Sequence, residues 1–416
     1  MDKSGPILIL GAGTFGLSTG YHLAKAGYSN ITILEKSHTF PPPLSAGNDL
    51  NKIIRAEYED PFYTDLALQA MAAWKSPLFS PYYHESGYLL TTSDAAPEKS
   101  KHSLAKSLLS ISEHPAFKDK IIPIETREDI RKVAPVFTGP MHWRGYLNKF
   151  AGYSHAADAL SATYSACCAL GINIVLGEEA KSLIYNDTTC TGVNTVSGTS
   201  YASSLTILTL GASLGTLLPQ VGRQITAKAW AVAHIQLTPT EAAKLKGIPV
   251  TYARDLGFFF EPDHRTNLLK ICPSGAGYTN YTHIAGAESE PQVSVPPDDN
   301  DFIPERDEIM IRKLLQETLP ELADRPLINR KICWCADTSD SEYVIDFVPG
   351  KKGVMVVGGD SGHAFKMLPV IGAWVKETVE AGRQEKDRWR WKNGSDASGE
   401  VSWRVGETTD LNSLHL

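Results

Sequence analysis

The sequence predicts an α/β protein in which a Rossmann-type nucleotide-binding domain, assembled from discontinuous pieces, is interleaved with a smaller α+β substrate domain of mixed antiparallel sheet. Three observations carry that expectation. At the N-terminus an apolar run, a glycine-rich turn, an amphipathic stretch and a second apolar run follow one another as in a β-α-β unit. Short apolar runs of the same kind recur far downstream, at residues 172–175, 205–210 and 354–357. Between them, residues 230–238 and 258–272 have the texture of strands from a different sheet. A chain of 416 residues also exceeds the size at which a single hydrophobic core keeps growing. The alternation assigns residues 1–85, 150–222 and 325–390 to the nucleotide domain, 86–149 and 223–324 to the substrate domain, and 391–416 to a polar tail.

The elements follow in order. Pro6-Ile7-Leu8-Ile9-Leu10 is short and continuously apolar, as a strand buried on both faces requires. Gly11-Ala12-Gly13-Thr14-Phe15-Gly16 comes next, then a helix over 17–25 with Leu17, Tyr21 and Ala24 at helical spacing, ended by Gly27. Ile31-Thr32-Ile33-Leu34 is the second strand, with Glu35 at its end and Lys36 beside it. Residues 44–55 read as a polar loop, 65–74 as a helix, 87–91 as a strand and 156–170 as an alanine-rich helix. Residues 289–303, rich in proline and acid, read as a surface loop, and 306–315 as a helix.

The glycine spacing has a physical purpose. Gly11 permits the tight turn, Gly13 lets the backbone approach a pyrophosphate, and Gly16 lets the helix pack on the strand. The free N–H groups at the helix start, around Thr14 and Phe15, face the negative phosphates. Glu35 arrives about twenty residues later, where a carboxylate accepts hydrogen bonds from ribose hydroxyls. The unit therefore binds a dinucleotide. Its N-terminal position, together with a glycine-containing segment at 358–366 placed to close over a cofactor, favours FAD over NAD.

Composition narrows the remaining classes. With 42% hydrophobic and 21% charged residues and a formal net charge of -7, the chain has no basic stripe to suit a nucleic acid. Arg388-Trp389-Arg390-Trp391-Lys392 reads as a docked tail rather than a binding patch. No apolar run approaches the roughly 20 residues of a membrane span, and no cleavable leader is evident, so an intracellular protein is expected. Leu414-His415-Leu416 is a loose match to a peroxisomal address, leaving cytoplasm and peroxisome both open. The six cysteines follow neither a disulfide framework nor a zinc pattern, and no metal site is expected.

Cys333-Trp334-Cys335-Ala336-Asp337-Thr338 and Gly359-Asp360-Ser361-Gly362-His363-Ala364-Phe365-Lys366 resemble the monomeric sarcosine oxidase family, which includes pipecolate, saccharopine and fungal fructosyl amino acid oxidases (amadoriases). The likeness spans most of the chain and includes 45–55, 230–240 and 257–272, with a fungal texture at Ala233-His234-Ile235-Gln236-Leu237-Thr238-Pro239 and Gly257-Phe258-Phe259-Phe260-Glu261-Pro262. It implies an FAD joined covalently through Cys333, with Cys335 as the alternative if the register is off by two. Lys270 matches the lysine that activates dioxygen, where a fixed cation stabilises developing superoxide-like charge. Arg55 and Lys366 match the pair that grips a substrate carboxylate, through a planar fork and a point charge. Lys52 and His363 would lie near the flavin, Ala180 would touch the adenine, and Ser45, Asp360 and Gly362 fall in the same cofactor-binding motifs.

The implied reaction is oxidation of a C–N bond in a secondary amine or amino acid, giving an imine and hydrogen peroxide from dioxygen, and a monomer is expected. Arg55 argues for sarcosine-, pipecolate- or saccharopine-like substrates, because amadoriases usually depart from Ile53-Ile54-Arg55. Ser274, near the position of a histidine common in bacterial sarcosine oxidases, argues against sarcosine itself. An amadoriase and an NAD-dependent dehydrogenase are the alternatives.

Overall fold

A computed structural model describes residues 2–284, 292–392, 404 and 406–414. A six-stranded sheet runs in the order Val344–Phe347, Val354–Gly358, Leu205–Leu208, Ile7–Leu10, Ile31–Glu35, Asn173–Leu176. All pairs are parallel except that of the edge strand Val344–Phe347, which is antiparallel. The four residues of Ile7–Leu10 are all buried, as the unbroken apolar run predicts for a strand covered on both faces. The helix Thr14–Lys25 covers one face together with Ile371–Ala381. These two helices approach so closely that a Cβ on Gly372 would stand 1.9 Å from the Ser18 carbonyl oxygen. The Ser18 hydroxyl donates to Leu368 O at 2.7 Å and accepts from the Gly372 N–H at 2.9 Å, pinning the C-terminal helix to the first one.

The second sheet has ten strands. It contains Thr226–Gln236, Leu268–Pro273, Gly257–Phe259, Val250–Ala253, Tyr88–Ser93, Trp143–Asn148 and Ile121–Ile124, and Ile328–Asp337 pairs with Thr226–Gln236 off that path. Pairing is antiparallel except between Tyr88–Ser93 and Val250–Ala253 and between Tyr278–Thr279 and Thr409–Asp410. The fold is thus the mixed α/β architecture that the sequence predicts, with its buried apolar residues in four clusters among the described residues.

Several boundaries differ. The stretch 258–272 is not one strand: Pro262 and the turn held by Asp263, whose Oδ1 accepts from the Arg265 and Thr266 N–H groups at 3.1 and 2.9 Å, separate two strands. The polar segment 44–55 contains the strand Lys52–Ile54, paired with Gly152–Ser154. The helix expected from 65 starts at Pro61, because Asp60 caps it by accepting from the Phe62 N–H at 2.9 Å. Trp389 is fully buried and Arg388 bonds Asp60 and Glu342, so this aromatic–basic run is docked. Of the loop at 289–303, residues 289–291 lie outside the described residues, and Val293–Ser294 forms a short strand. Much of the tail and the last two residues, His415 and Leu416, also lie outside them. No helix among the described residues is long and apolar enough to cross a membrane.

Candidate active site

The C-terminal ends of the parallel strands open into a cleft of about 620 Å³, within the ordinary size of cofactor sites. Its wall collects residues from the whole chain. Gly11, Gly13, Thr14, Phe15, Glu35, Lys36, Ser45, Lys52, Ala180, Asp360 and Gly362 all line it. Gly16 does not, because it is packed inside: a Cβ there would stand 1.9 Å from Gly11 O. Gly11 itself has φ +104°, in the left-handed region that favours glycine. A Gly16→Ala variant is therefore expected to lose the tight turn and purify without yellow colour. Visible absorbance together with near-UV circular dichroism checks this.

Glu35 is buried and divided between two duties. One carboxylate oxygen accepts from the Ala12 N–H at 2.9 Å and the other from the Ser37 N–H at 3.0 Å. It thereby ties the glycine turn to the second strand and leaves lone pairs toward the cleft. The site fits an FAD-sized dinucleotide on structural grounds alone. The helix Thr14–Lys25 aims its N-terminus at the cleft with no side chain capping it. Gly211 and Gly362 also line the cleft, and nothing stands within 4 Å of where a Cβ would be. These are the open backbone and free donors that a pyrophosphate needs.

The far wall is closed by Trp334, Cys335, Ala364 and Phe365. Cys335 lines the cleft and Cys333 does not, while both thiols lie close enough to act on the Lys52 charge. Both lie on Ile328–Asp337, Cys333 opposite Trp230 and Cys335 opposite Lys228, and strand periodicity gives them one face. The loop after Val354–Gly358 lies against this strand. Asp360 accepts from the Ala336 N–H at 2.8 Å and from the Gly362 N–H at 3.0 Å, folding that loop against Cys335. Burial, reinforced by Asp360 and Cys333, holds the Cys335 thiol well above the usual range, while Lys52 pulls the other way.

Behind the wall lies a buried charge cluster. Asp49, 4% exposed, accepts from Lys270 Nζ at 2.6 Å and pairs with Lys52 Nζ at 2.8 Å. Lys270 also donates to Asn51 O at 2.7 Å. Burial alone raises the Asp49 pKa, but Lys270 and Lys52 outweigh it and hold the carboxyl far below its usual value. Lys52 is correspondingly held charged against its own burial. Lys52 reaches the cleft, whereas Lys270 stands one carboxylate further back. Asp49 is the partner that the sequence did not single out, although it lies within the segment 45–55 that carries the resemblance.

Arg55 and Lys366 meet over one tyrosine. The guanidinium carbon of Arg55 is 5.0 Å and Lys366 Nζ 4.9 Å from the Tyr58 ring centroid, so the two cations share a small volume. Arg55 also lies over Tyr88, at 5.9 Å. Among the described residues, no carboxylate approaches either cation to ion-pair distance. Glu57, fully buried and bonded through Oε1 to Asn148, is a more distant counter-charge. Burial, then the Arg55 charge, press Lys366 well below the ordinary lysine range. His363 does not line the cleft but supports Lys366. Lys366 donates to Tyr58 Oη at 2.8 Å, and Tyr58 Oη lies 3.0 Å from His363 Nδ1. His363 Nε2 is 2.9 Å from Ser341 O. Burial, then the Lys366 charge, keep His363 neutral, and the chain then runs as Lys366 to Tyr58 to Nδ1, with Nε2–H donating to Ser341 O. Tyr58 and Tyr343, which also touches Nδ1 at 3.1 Å, were not evident from sequence, being 305 and 20 residues away from His363.

A dinucleotide cleft, closed by a thiol and backed by buried cations, defines a flavin-dependent oxidoreductase. The chain belongs to the FAD dependent oxidoreductase (DAO) family, which it matches over residues 6–378. It is 34% identical to L-saccharopine oxidase of Schizosaccharomyces pombe, over 96% of this chain and 95% of that one. It is 24% identical to monomeric sarcosine oxidase of an Arthrobacter species, over 93% and 95%. Among solved structures, Aspergillus fumigatus fructosamine oxidase (Amadoriase II) in complex with FSA is 34% identical, with a TM-score of 0.89 over 100% of this chain and 97% of that one. The protein is accordingly an FAD-dependent enzyme of the saccharopine–sarcosine oxidase and amadoriase type, acting on amine C–N bonds.

Proposed function

We propose that the substrate is a secondary amino acid of the saccharopine or pipecolate kind, and that dioxygen accepts the electrons to give hydrogen peroxide. The observation that carries this reading is the pair of cations, half-buried Arg55 and buried Lys366, set over Tyr58 with no ion-paired carboxylate among the described residues. A substrate carboxylate supplies the missing charge. FAD, when bound, accepts two electrons from the C–N bond and passes them on.

The remaining steps belong to the chain. Arg55 offers a two-donor fork to the carboxylate, and Lys366 adds a point charge. Because Lys366 is pressed toward neutrality in the free protein, seating a carboxylate beside it raises its pKa, and binding takes up a proton. The Tyr58–His363–Ser341 relay fixes the direction of that lysine. Orientation of the amine over the ring is the main contribution to rate. Lys270, held by Asp49 and Asn51, provides the fixed cation toward which dioxygen charge develops.

We further propose that the flavin is attached through Cys335. Intact-protein mass under denaturing conditions is expected to exceed the chain mass by one flavin dinucleotide, with the adduct on the Cys335 peptide. Cys335→Ala is expected to release the yellow colour into acid supernatant, whereas Cys333→Ala retains it.

A peroxide assay across saccharopine, pipecolate, sarcosine and fructosyl amino acids tests the substrate. The amadoriase reading keeps support from the likeness to fructosamine oxidase, and a response confined to fructosyl amino acids would select it.

A further inference from the structure

Outside the nucleotide cleft, His155, Asp263 and His264 converge so that one ligand atom from each lies within 4.8 Å of the others. None of the three lines the cleft. His155 stands immediately before the helix Ala156–Ala169, yet its side chain caps nothing. It is 4% exposed, and neither ring nitrogen has a hydrogen-bond partner. The closest carboxylate oxygen, Asp263 Oδ2, is 3.6 Å from its Nδ1.

Asp263, 1% exposed, divides its carboxylate. Oδ1 accepts from the Arg265 and Thr266 N–H groups and from the Thr266 hydroxyl, and so builds the turn. Oδ2 has no hydrogen-bond partner; Arg265 Nε is 3.9 Å away and its guanidinium is engaged by Asp158 at 2.7 Å. His264 is exposed, so the cluster opens to solvent on one side. His84 rests against His155 with ring centroids 4.7 Å apart, and its Nε2 is likewise buried and unpartnered.

A buried imidazole with both nitrogens unsatisfied beside a half-satisfied carboxylate is costly in a folded protein, and such groups mark an occupant. We propose that His155, Asp263 and His264 form a divalent transition-metal site, with Zn²⁺ as the fitting ion.

Two imidazoles and one carboxylate suit zinc and not calcium or magnesium, which take oxygen ligands. Tetrahedral zinc sets ligand atoms about 3.3 Å apart. The His155–Asp263 separation is already close to that, and the exposed His264 can close the rest. The fourth position faces solvent. The site joins two segments that furnish the buried charge cluster. Ser154, just before His155, pairs with Lys52, and Asp263 begins the turn that leads into the strand bearing Lys270. Zinc there acts as a clamp between the start of the helix Ala156–Ala169 and the second sheet.

The test uses the flavin-loaded protein, stripped by chelator and titrated with Zn²⁺ against a chromophoric chelator. One equivalent is expected to bind and to raise the thermal midpoint. His264→Ala, on the exposed ligand, is expected to keep its flavin and fold but to weaken zinc by more than the about 10–100-fold that loss of an outer-shell partner brings. His155→Gln is expected to do the same. Co²⁺ in place of Zn²⁺ is expected to give a spectrum without thiolate charge transfer. Absence of a bound equivalent, equal binding by His264→Ala, or a thiolate band that moves the ion onto the cysteines would each overturn the proposal. None of these readouts depends on which amine the enzyme oxidises.

Discussion

In a Lys270→Met variant, dioxygen is expected to reoxidise the reduced flavin about 10²–10³-fold more slowly, while anaerobic reduction by the amine changes by only a few-fold. The magnitude is that of removing one preorganised charge from a developing anion in a dry site. Lys270 is 2% exposed and directed by two acceptors, Asp49 Oδ2 and Asn51 O, so its ammonium is fixed before oxygen arrives. Methionine keeps the length of the side chain and removes the charge. Asp49 is not left alone, because Lys52 remains at 2.8 Å, and the variant therefore folds despite the about 3–5 kcal/mol that breaking a buried pair outright costs. Lys52 is the competing candidate, since it reaches the cleft itself. Stopped-flow measurement of both half-reactions in Lys270→Met and Lys52→Met separates them. Equal slowing of reduction and reoxidation in Lys270→Met would remove Lys270 from this role.

An Arg55→Met variant is expected to lose about 10²–10³-fold in kcat/KM toward amino acid substrates, the scale on which a buried carboxylate loses its charged partner. The loss should shrink sharply for the corresponding esters, which carry no carboxylate charge; equal losses for acid and ester would mean that Arg55 serves the fold and not the substrate. A pH signature accompanies it. Lys366 is lowered by burial and by Arg55, and a bound carboxylate raises it. Below the free-protein pKa of Lys366 the lysine is already charged and KM is flat. Above it, binding must take up a proton and KM rises with pH. Removing Arg55 removes one cause of the lowering, so the rise in KM is expected to begin at higher pH in the variant.

The parts of this account legible in sequence are those whose determinants are close together in the chain. Residues 7–35 carry strand, turn, helix, strand and acid within one short span, and each glycine there has a single geometric duty. The thiol was harder to choose. Cys333 and Cys335 share a strand face, and Asp360, 24 residues from Ala336 and anchored to its N–H, lines the cavity beside Cys335. Asp49 was visible as a residue but not as a partner, because its meaning comes from Lys270, 221 residues away. The turn inside 258–272 had a local signal, Pro262 followed by Asp263 and Thr266, that was outweighed by the apolar residues on both sides. The His155–Asp263–His264 cluster has no sequence signature, since its first member is separated from the other two by three helices and several strands, and the cysteine spacing pointed away from any metal.

Anaerobic titration of the flavin with L-saccharopine is the most direct measurement of the central claim, that this cleft holds an oxidising flavin beside a carboxylate grip. The account predicts that the visible flavin band bleaches at one equivalent and returns on admission of air, with the bleaching weakened in Arg55→Met. A flavin that stays oxidised with saccharopine, pipecolate and sarcosine, yet bleaches with a fructosyl amino acid irrespective of Arg55, would contradict it.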